Sequence, residues 1–286
     1  MKTDAETRGR GDTANETEKP TFLTMPHKPD ETTDGGNPRV SQSPSLRVSS
    51  DSLRILLWDI DGTLIRSVRP DSFKDYTIQM LEEVFGTAGR LPELRVSGMT
   101  DLEIVGEALR DEGFTHEHIR ARITEVRERY MTAMRSVTGN GEEHFRILPG
   151  VRETLAALAA HPRYRSALMT GNIEAAAYYK MELVGLSEFF TLPGSFGDES
   201  HDRRDLPALA ADRIRTHLQL DLKAEQFIVI GDTPNDIACA QHFGARALAV
   251  GTSRMFSAED LLACHPDALL PDLADVSRVM QTLDGL

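Results

Sequence analysis

Two aspartates one residue apart, Asp59 and Asp61, interrupt the apolar run ILLWDIDGTLI at residues 55–65. Like charges held this close at the lip of a core are costly unless something positive lies between them. Alternate residues of an extended backbone point the same way, so both carboxylates can face one crevice while Ile60 faces the core. Gly62 lets the chain turn, and nearby backbone N–H groups can then face an anion. One carboxylate, held ionised, can serve as a nucleophile; its neighbour can carry a proton, first as acid and then as base. Two further apolar runs end in similar chemistry. SALM is followed by Thr170, Gly171 and Asn172, and FIVIG by Asp232, Thr233, Asn235 and Asp236. If these strands are neighbours, three or four carboxylates meet. A hard divalent cation turns such a cluster into a site of oxygen ligands, and Mg2+ suits few carboxylates completed by substrate oxygens.

The elements that must position these groups alternate along the chain. LRILLWDI is a short continuous apolar run, as expected of a strand covered on both faces. Similar runs recur in RSALMT (165–170), FIVIGD (227–232), ARALAVGT (245–252) and, more weakly, DALLPD. Helical patterns lie between them, such as VRETLAALAA after Pro149-Gly150 and NDIACAQHF, which stops at Gly244. Strand and helix in alternation predict an α/β fold, a Rossmann-like parallel sheet core with helices on both faces, and ligands bind beyond the carboxyl ends of such strands. Residues 67–146 break the alternation with helical periodicity alone. Their stripes are Phe73, Tyr76, Met80 and Val84, then Leu102, Val105 and Leu109, then one long helix through HIRARITEVRERYMTAMRSV. A small all-helical domain inserted after the first strand is expected, its aromatic and Met stripes serving as packing. The expected division is a disordered tail over 1–51, the α/β core over 52–66 and 147–286, and the helical insert over 67–146.

DIDGT resembles the first motif, DxDx[TV], of the haloacid dehalogenase-like superfamily. LMTGN is similar to its second motif, an apolar strand ending in Thr or Ser, and VIGDTPND to its fourth, GDxxxD. The third motif is a Lys or Arg, best matched in SHDRRDLPALA by Arg203, with Arg204 as the alternative. The resemblance runs from Leu53 to about Val250, and the insert lies where this family places its C1 cap. It implies a Mg2+-dependent phosphatase acting on a small phosphorylated metabolite through an aspartyl-phosphate. Asp59 would be the nucleophile, Asp61 the acid and base, and Arg203 a catalytic cation. Gly62, Thr63, Thr170, Gly171 and Asn172 would bind the phosphoryl group. Asp59, the backbone carbonyl of Asp61 and Asp232 would hold Mg2+, with Asp236 in its outer shell. SGMTD (97–101) is similar to a substrate-facing segment of phosphoglycolate phosphatase-like members, which makes Thr100 and Asp101 candidates for substrate contact; TDLEIV also reads as a helix N-cap. Two alternatives stay open: a phosphoglucomutase-like phosphotransferase and a non-catalytic binding protein on the same fold.

Bulk properties bound the rest. The chain has 286 residues, is 40% hydrophobic and carries a net charge of −13, which argues against nucleic acid or an anionic membrane as partner. Cys239 and Cys264 lack metal-ligand spacing and read as small core positions kept reduced. No apolar run reaches the length of a membrane span and MKTDAETRGR lacks a signal-peptide core, so a cytoplasmic protein is expected. His116, His118 and His144 read as surface positions, as does Lys74; His201 lies beside the third motif.

Overall fold

The computed structural model describes residues 50–286; the tail expected over 1–51 lies outside them except for its last two positions. Among the described residues there are eight strands: β1 Arg54–Trp58, β2 Ile65–Ser67, β3 Phe145–Ile147, β4 Tyr164–Thr170, β5 Ser195–Phe196, β6 Phe227–Gly231, β7 Arg246–Val250 and β8 Ala268–Leu270. Ten α-helices accompany them in the same span: α1 Phe73–Phe85, α2 Asp101–Leu109, α3 His116–Ala121, α4 Ile123–Thr138, α5 Val151–Ala160, α6 Glu174–Leu183, α7 Leu206–Leu218, α8 Pro234–Phe243, α9 Ala258–Ala263 and α10 Val276–Asp284.

Six strands form one parallel sheet in the order β5-β4-β1-β6-β7-β8. From β1 the chain winds outward to β4 and β5, then returns to the other side of β1 for β6, β7 and β8. β1 and β6 therefore flank the point where winding reverses, and their carboxyl ends open into the crevice where ligands bind in such sheets. Alternation along β1 sends Leu56 and Trp58 into one apolar layer and Ile55 and Leu57 into the other. The first layer is closed by α5, α6 and α10, the second by α7, α8 and α9. Both faces being covered explains why these strands read as unbroken apolar runs. The buried indole of Trp58 donates to Ser166 Oγ at 3.1 Å, so its polar edge is satisfied.

The insert departs from the sequence expectation twice. It is entered and left through a two-stranded antiparallel ribbon, β2 with β3, pairing Ile65 with Ile147 and Ser67 with Phe145. Three-residue strands are too short to show a period, so the pattern of 67–146 reads as helical throughout. The long helix expected over 118–137 is also broken: α3 ends at Ala121, Arg122 takes φ −107°, and α4 restarts at Ile123. Arg122 spends its guanidinium on Glu125 at 2.7 and 2.9 Å, within the first turn of α4. Within the insert, Tyr76 of α1 and Tyr130 of α4 meet edge to face, with ring centroids 5.3 Å apart.

The insert is seated on the sheet. Asp101 N–H donates to the Gly171 carbonyl at 2.7 Å, Leu102 N–H to Gly197 at 3.2 Å, and Asn235 Nδ2 to the Gly98 carbonyl at 2.7 Å. Arg127 adds an ion pair to Asp198 at 2.6 Å. A side chain at Gly171 would place its Cβ 2.2 Å from the Met99 carbonyl oxygen, so this contact requires glycine. Among the described residues, no helix is long and apolar enough to cross a membrane.

Candidate active site

Asp59 is the first residue past β1, and its N–H still donates to Ile230 of β6 at 3.0 Å. That register aims its carboxylate at the crevice, where it is 5% exposed. Asp232 follows β6 directly, and Asp236 lies in the first turn of α8. One oxygen from each of Asp59, Asp232 and Asp236 lies within 4.8 Å of the others. Burial pushes Asp59 up to about 7 against the pull of Arg203. It pushes Asp232 up to about 8, reinforced by the charges of Asp59 and Asp236. The cluster holds more negative charge than its protein partners neutralise, and its donors are hard oxygens. Both properties fit Mg2+.

The four aspartates are not equivalent. Asp236 is already committed: Oδ1 accepts from Arg203 at 2.7 Å, and Oδ2 from the backbone and hydroxyl of Thr233 at 3.1 and 2.7 Å, forming the capping box of α8. The Asp61 side chain lies apart from the cluster, so only its backbone carbonyl is available as the metal ligand that the family resemblance implies. Asp59 keeps one oxygen on Arg203, at 2.7 Å.

Gly62 and Thr63, expected at the phosphoryl group, stand against Asp232. Gly62 adopts φ +97° and donates its N–H to the Ile65 carbonyl at 2.8 Å. Its role is proximity, since a Cβ there would stand 2.3 Å from Asp232 Oδ2. Thr63 is fully buried, and its hydroxyl donates to Asp232 Oδ1 at 3.3 Å. Both residues shape the Asp232 side of the cluster, because the tight turn after β1 consumes their N–H groups.

Thr170, Gly171 and Asn172 leave β4 on the opposite side of Asp59 and line a cavity of about 190 Å3. Asn172 Nδ2 donates to Thr170 Oγ1 at 2.7 Å and to Asp61 Oδ2 at 2.8 Å. The residue that sequence reasoning missed completes this group. Lys180 of α6, 3% exposed, donates to Asp61 Oδ2 and to Asn172 Oδ1, each at 2.6 Å. A signal for it exists: Ile173, Ala176, Ala177, Lys180 and Met181 are the buried positions of one helical stripe, and a lysine in an otherwise small apolar stripe needs a buried partner. Replacing Lys180 with Met leaves the Asp61 carboxylate and the Asn172 carbonyl oxygen without their shared donor. Because misplacing a reacting group by about 1 Å can cost about 100-fold, kcat for a phosphate ester should fall by about that factor in Lys180→Met. Unchanged kcat alongside native far-ultraviolet circular dichroism would remove Lys180 from the site.

Arg203, not its neighbour, occupies the crevice. It is 6% exposed, and its Nη2 bridges Asp59 and Asp236. Burial works against its charge, yet Asp236 and Asp59 hold it firmly protonated. Arg204 is exposed and forks onto Asp202, whose carboxyl it holds down at about 2. Neighbours in sequence at the start of α7 thus point to opposite environments. His201 meets His116 of the insert, Nδ1 to Nδ1 at 3.0 Å, behind this arginine and outside the cavity. Cys239 and Cys264 are both free thiols.

Of the two insert candidates, only Asp101 reaches the cavity. Thr100 is fully buried as the N-cap of α2, accepting from Glu103 N–H at 3.1 Å, so its hydroxyl is committed to the helix end. Asp101 is partly buried and accepts from Ile173 N–H at 2.7 Å, and burial raises its carboxyl to about 7. Phe73, Tyr76 and Tyr130 of the insert, absent from the expected site, line the cavity beside it.

The chain is similar to known proteins in sequence family and in fold. The family model described as haloacid dehalogenase-like hydrolase matches residues 56–250. The chain is 27% identical over 203 residues to phosphoglycolate phosphatase of Chromobacterium violaceum, covering 70% of this chain and 85% of that protein. It is 22% identical over 238 residues to pyrophosphatase PpaX of Oceanobacillus iheyensis, covering 80% and 97%. Among solved structures, CbbY from Rhodobacter sphaeroides, in complex with phosphate, superposes with a TM-score of 0.56 at 17% identity, covering 78% and 96%.

Proposed function

Because this chain belongs to the haloacid dehalogenase-like hydrolase family, we propose that it is a Mg2+-dependent phosphatase of a small phosphorylated metabolite, working through an aspartyl-phosphate in the cytoplasm. The observation that carries this reading is Asp59, bound to Arg203 at 2.7 Å and grouped with Asp232 and Asp236 beside a cavity covered by the helical insert. The names of the phosphoglycolate phosphatase and pyrophosphatase relatives support hydrolysis of phosphate compounds.

An Asp59 oxygen attacks phosphorus, forming an Asp59–phosphorus bond as the bond to the ester oxygen breaks. Asp61 gives its proton to the departing alcohol. Asp61, again a carboxylate, then takes a proton from water as the water oxygen attacks phosphorus. Inorganic phosphate leaves, and Asp59 is restored. Lys180 and Asn172 hold the Asp61 carboxylate in position for the second step. Arg203, with Thr170 and Asn172, faces the phosphoryl oxygens, where charge stabilisation contributes most to the rate. Mg2+ held by Asp59, Asp232 and the Asp61 carbonyl would supply further neutralisation of phosphoryl charge. The insert acts as a cap that excludes water. Release of free phosphate from p-nitrophenyl phosphate in Mg2+ tests the reading, and transfer to a sugar phosphate without phosphate release would replace it by the phosphotransferase.

Metal binding should also be visible without turnover. Asp59 and Asp232 are raised to about 7 and about 8, so between about pH 4 and pH 8 the metal-free folded state binds more protons than the unfolded chain. Stability of the metal-free protein therefore falls as pH rises through that window. Mg2+ binds the ionised carboxylates and opposes the fall. At 100 times its Kd a ligand adds about 2.7 kcal/mol, or roughly 5–10 °C of Tm for a chain of this size. Thermal melts at pH 5 and pH 8, with EDTA or Mg2+, measure both effects. A Tm at pH 8 that ignores Mg2+, or an equal response in Asp232→Asn, would remove the metal site.

A further inference from the structure

Resting on the phosphatase reading, we infer that the alcohol part of the substrate carries no carboxylate and instead presents a hydroxyl or ammonium donor to Asp101. The charges around the cavity lead there. Among the described residues its two cations are Lys180 and Arg203. Lys180 is held by Asp61 and Asn172, both at 2.6 Å, and Arg203 by Asp59 and Asp236, both at 2.7 Å. Lys180 also lies within electrostatic reach of Asp101 and Tyr76 of the insert, so its charge is already set against Asp61 and Asp101. Among the described residues lining the cavity, the insert contributes no lysine, arginine or histidine; its one carboxylate is Asp101.

The rest of that wall is largely aromatic and apolar. Phe73, Tyr76, Ile104 and Tyr130 contribute to it, and burial pushes the Tyr76 hydroxyl up to about 12, so it stays neutral. A carboxylate one carbon from the ester oxygen would enter this space with its one nearby cation, Lys180, already paired and with the Asp101 carboxylate near it, which is unfavourable on both counts. A donor group meets the opposite situation. One Asp101 oxygen is taken by Ile173 N–H at 2.7 Å, leaving acceptor capacity on a carboxylate that burial otherwise penalises. Aromatic faces beside that carboxylate suit an ammonium as well as a hydroxylated carbon. The basic side chains Arg66, Lys74, Arg95 and Arg254 line an outer groove that shares Asp61, Ser67, Phe73, Val96 and Ser97 with the cavity, but none of the four lines the cavity itself. Phosphoglycolate, the substrate in the names of several relatives, is by this inference a poor substrate for this chain.

The test compares phosphoglycolate, glycerol 1-phosphate and ethanolamine phosphate in Mg2+, with p-nitrophenyl phosphate alongside. For wild type, kcat/KM should be at least tenfold higher for the better of the two donor-bearing esters than for phosphoglycolate. Asp101→Asn should shrink that ratio at least fivefold. Dissociation constants of the same three esters, measured by calorimetry on Asp59→Asn, should follow the same order. Phosphoglycolate equal to or better than both other esters, or a ratio unmoved in Asp101→Asn, overturns the inference while leaving the phosphatase intact. If no ester is hydrolysed, p-nitrophenyl phosphate included, the phosphatase reading fails, and the binding order still decides the preference.

Discussion

Asp59→Asn should lower turnover of p-nitrophenyl phosphate by on the order of 10⁴-fold or more, because an amide cannot form the covalent intermediate and nucleophiles of this kind act as part of a unit. The same change should leave the metal-free fold intact. Asp59 is 5% exposed, and its ionised form is disfavoured by burial, so replacing it removes a buried charge as well as a hydrogen-bond acceptor. Arg203 keeps Asp236 as partner at 2.7 Å. At pH 8 the Tm in EDTA is therefore expected to stay level or rise, while the gain from Mg2+ shrinks. Lost activity with an unchanged metal-free melt isolates chemistry from folding. Activity within tenfold of wild type would end the nucleophile assignment.

Arg203→Met should have the largest combined effect on folding and rate. Its guanidinium joins two carboxylates from different elements, Asp59 after β1 and Asp236 in α8, and all three side chains are nearly sealed from solvent. Removing the shared cation leaves both acceptors buried. Breaking a buried pair in this way costs about 3–5 kcal/mol, and losing a charge-stabilising donor costs about 10²–10³ in kcat. Mg2+ should restore part of the stability but little of the rate, because a metal can neutralise Asp59 without supplying an N–H aimed at the phosphoryl group. Arg203→Lys should fall between, since it keeps charge but loses the planar fork. Arg204→Met serves as the control: its side chain is exposed and pairs with Asp202 at the surface, so a near-neutral outcome is expected. Equal damage from both substitutions would mean that the arginine acts through the fold of the α7 start, not through the crevice. Urea titrations with and without Mg2+, beside kcat, distinguish these cases.

Much of the architecture was legible along the chain for local reasons. A strand covered on both faces must be apolar at successive positions, and polar groups at its end must serve either a turn or a site. LRILLWDI and FIVIGD therefore announced both the sheet and the places where carboxylates leave it. The ribbon of β2 with β3 was not legible, because three residues show no period. Nor was the break at Arg122, where an ion pair with Glu125 accompanies the interruption of the apolar stripe. Thr100 had two readings in sequence, N-cap or substrate contact, and the reciprocal capping box it forms with Glu103 selects the cap.

By itself the sequence determined which segments become strands, that a helical insert follows the first, and which aspartates stand at strand ends; backbone period and solvent exclusion act over a few residues and leave a local trace. Only the tertiary structure decided which charges meet. Arg203 rather than Arg204 enters the crevice, Lys180 reaches Asp61 across 119 residues of chain, and Gly62 and Thr63 stand against Asp232. A charge's partner depends on what packs opposite its element, and the winding of the parallel sheet brings together residues that have no neighbourhood in the chain.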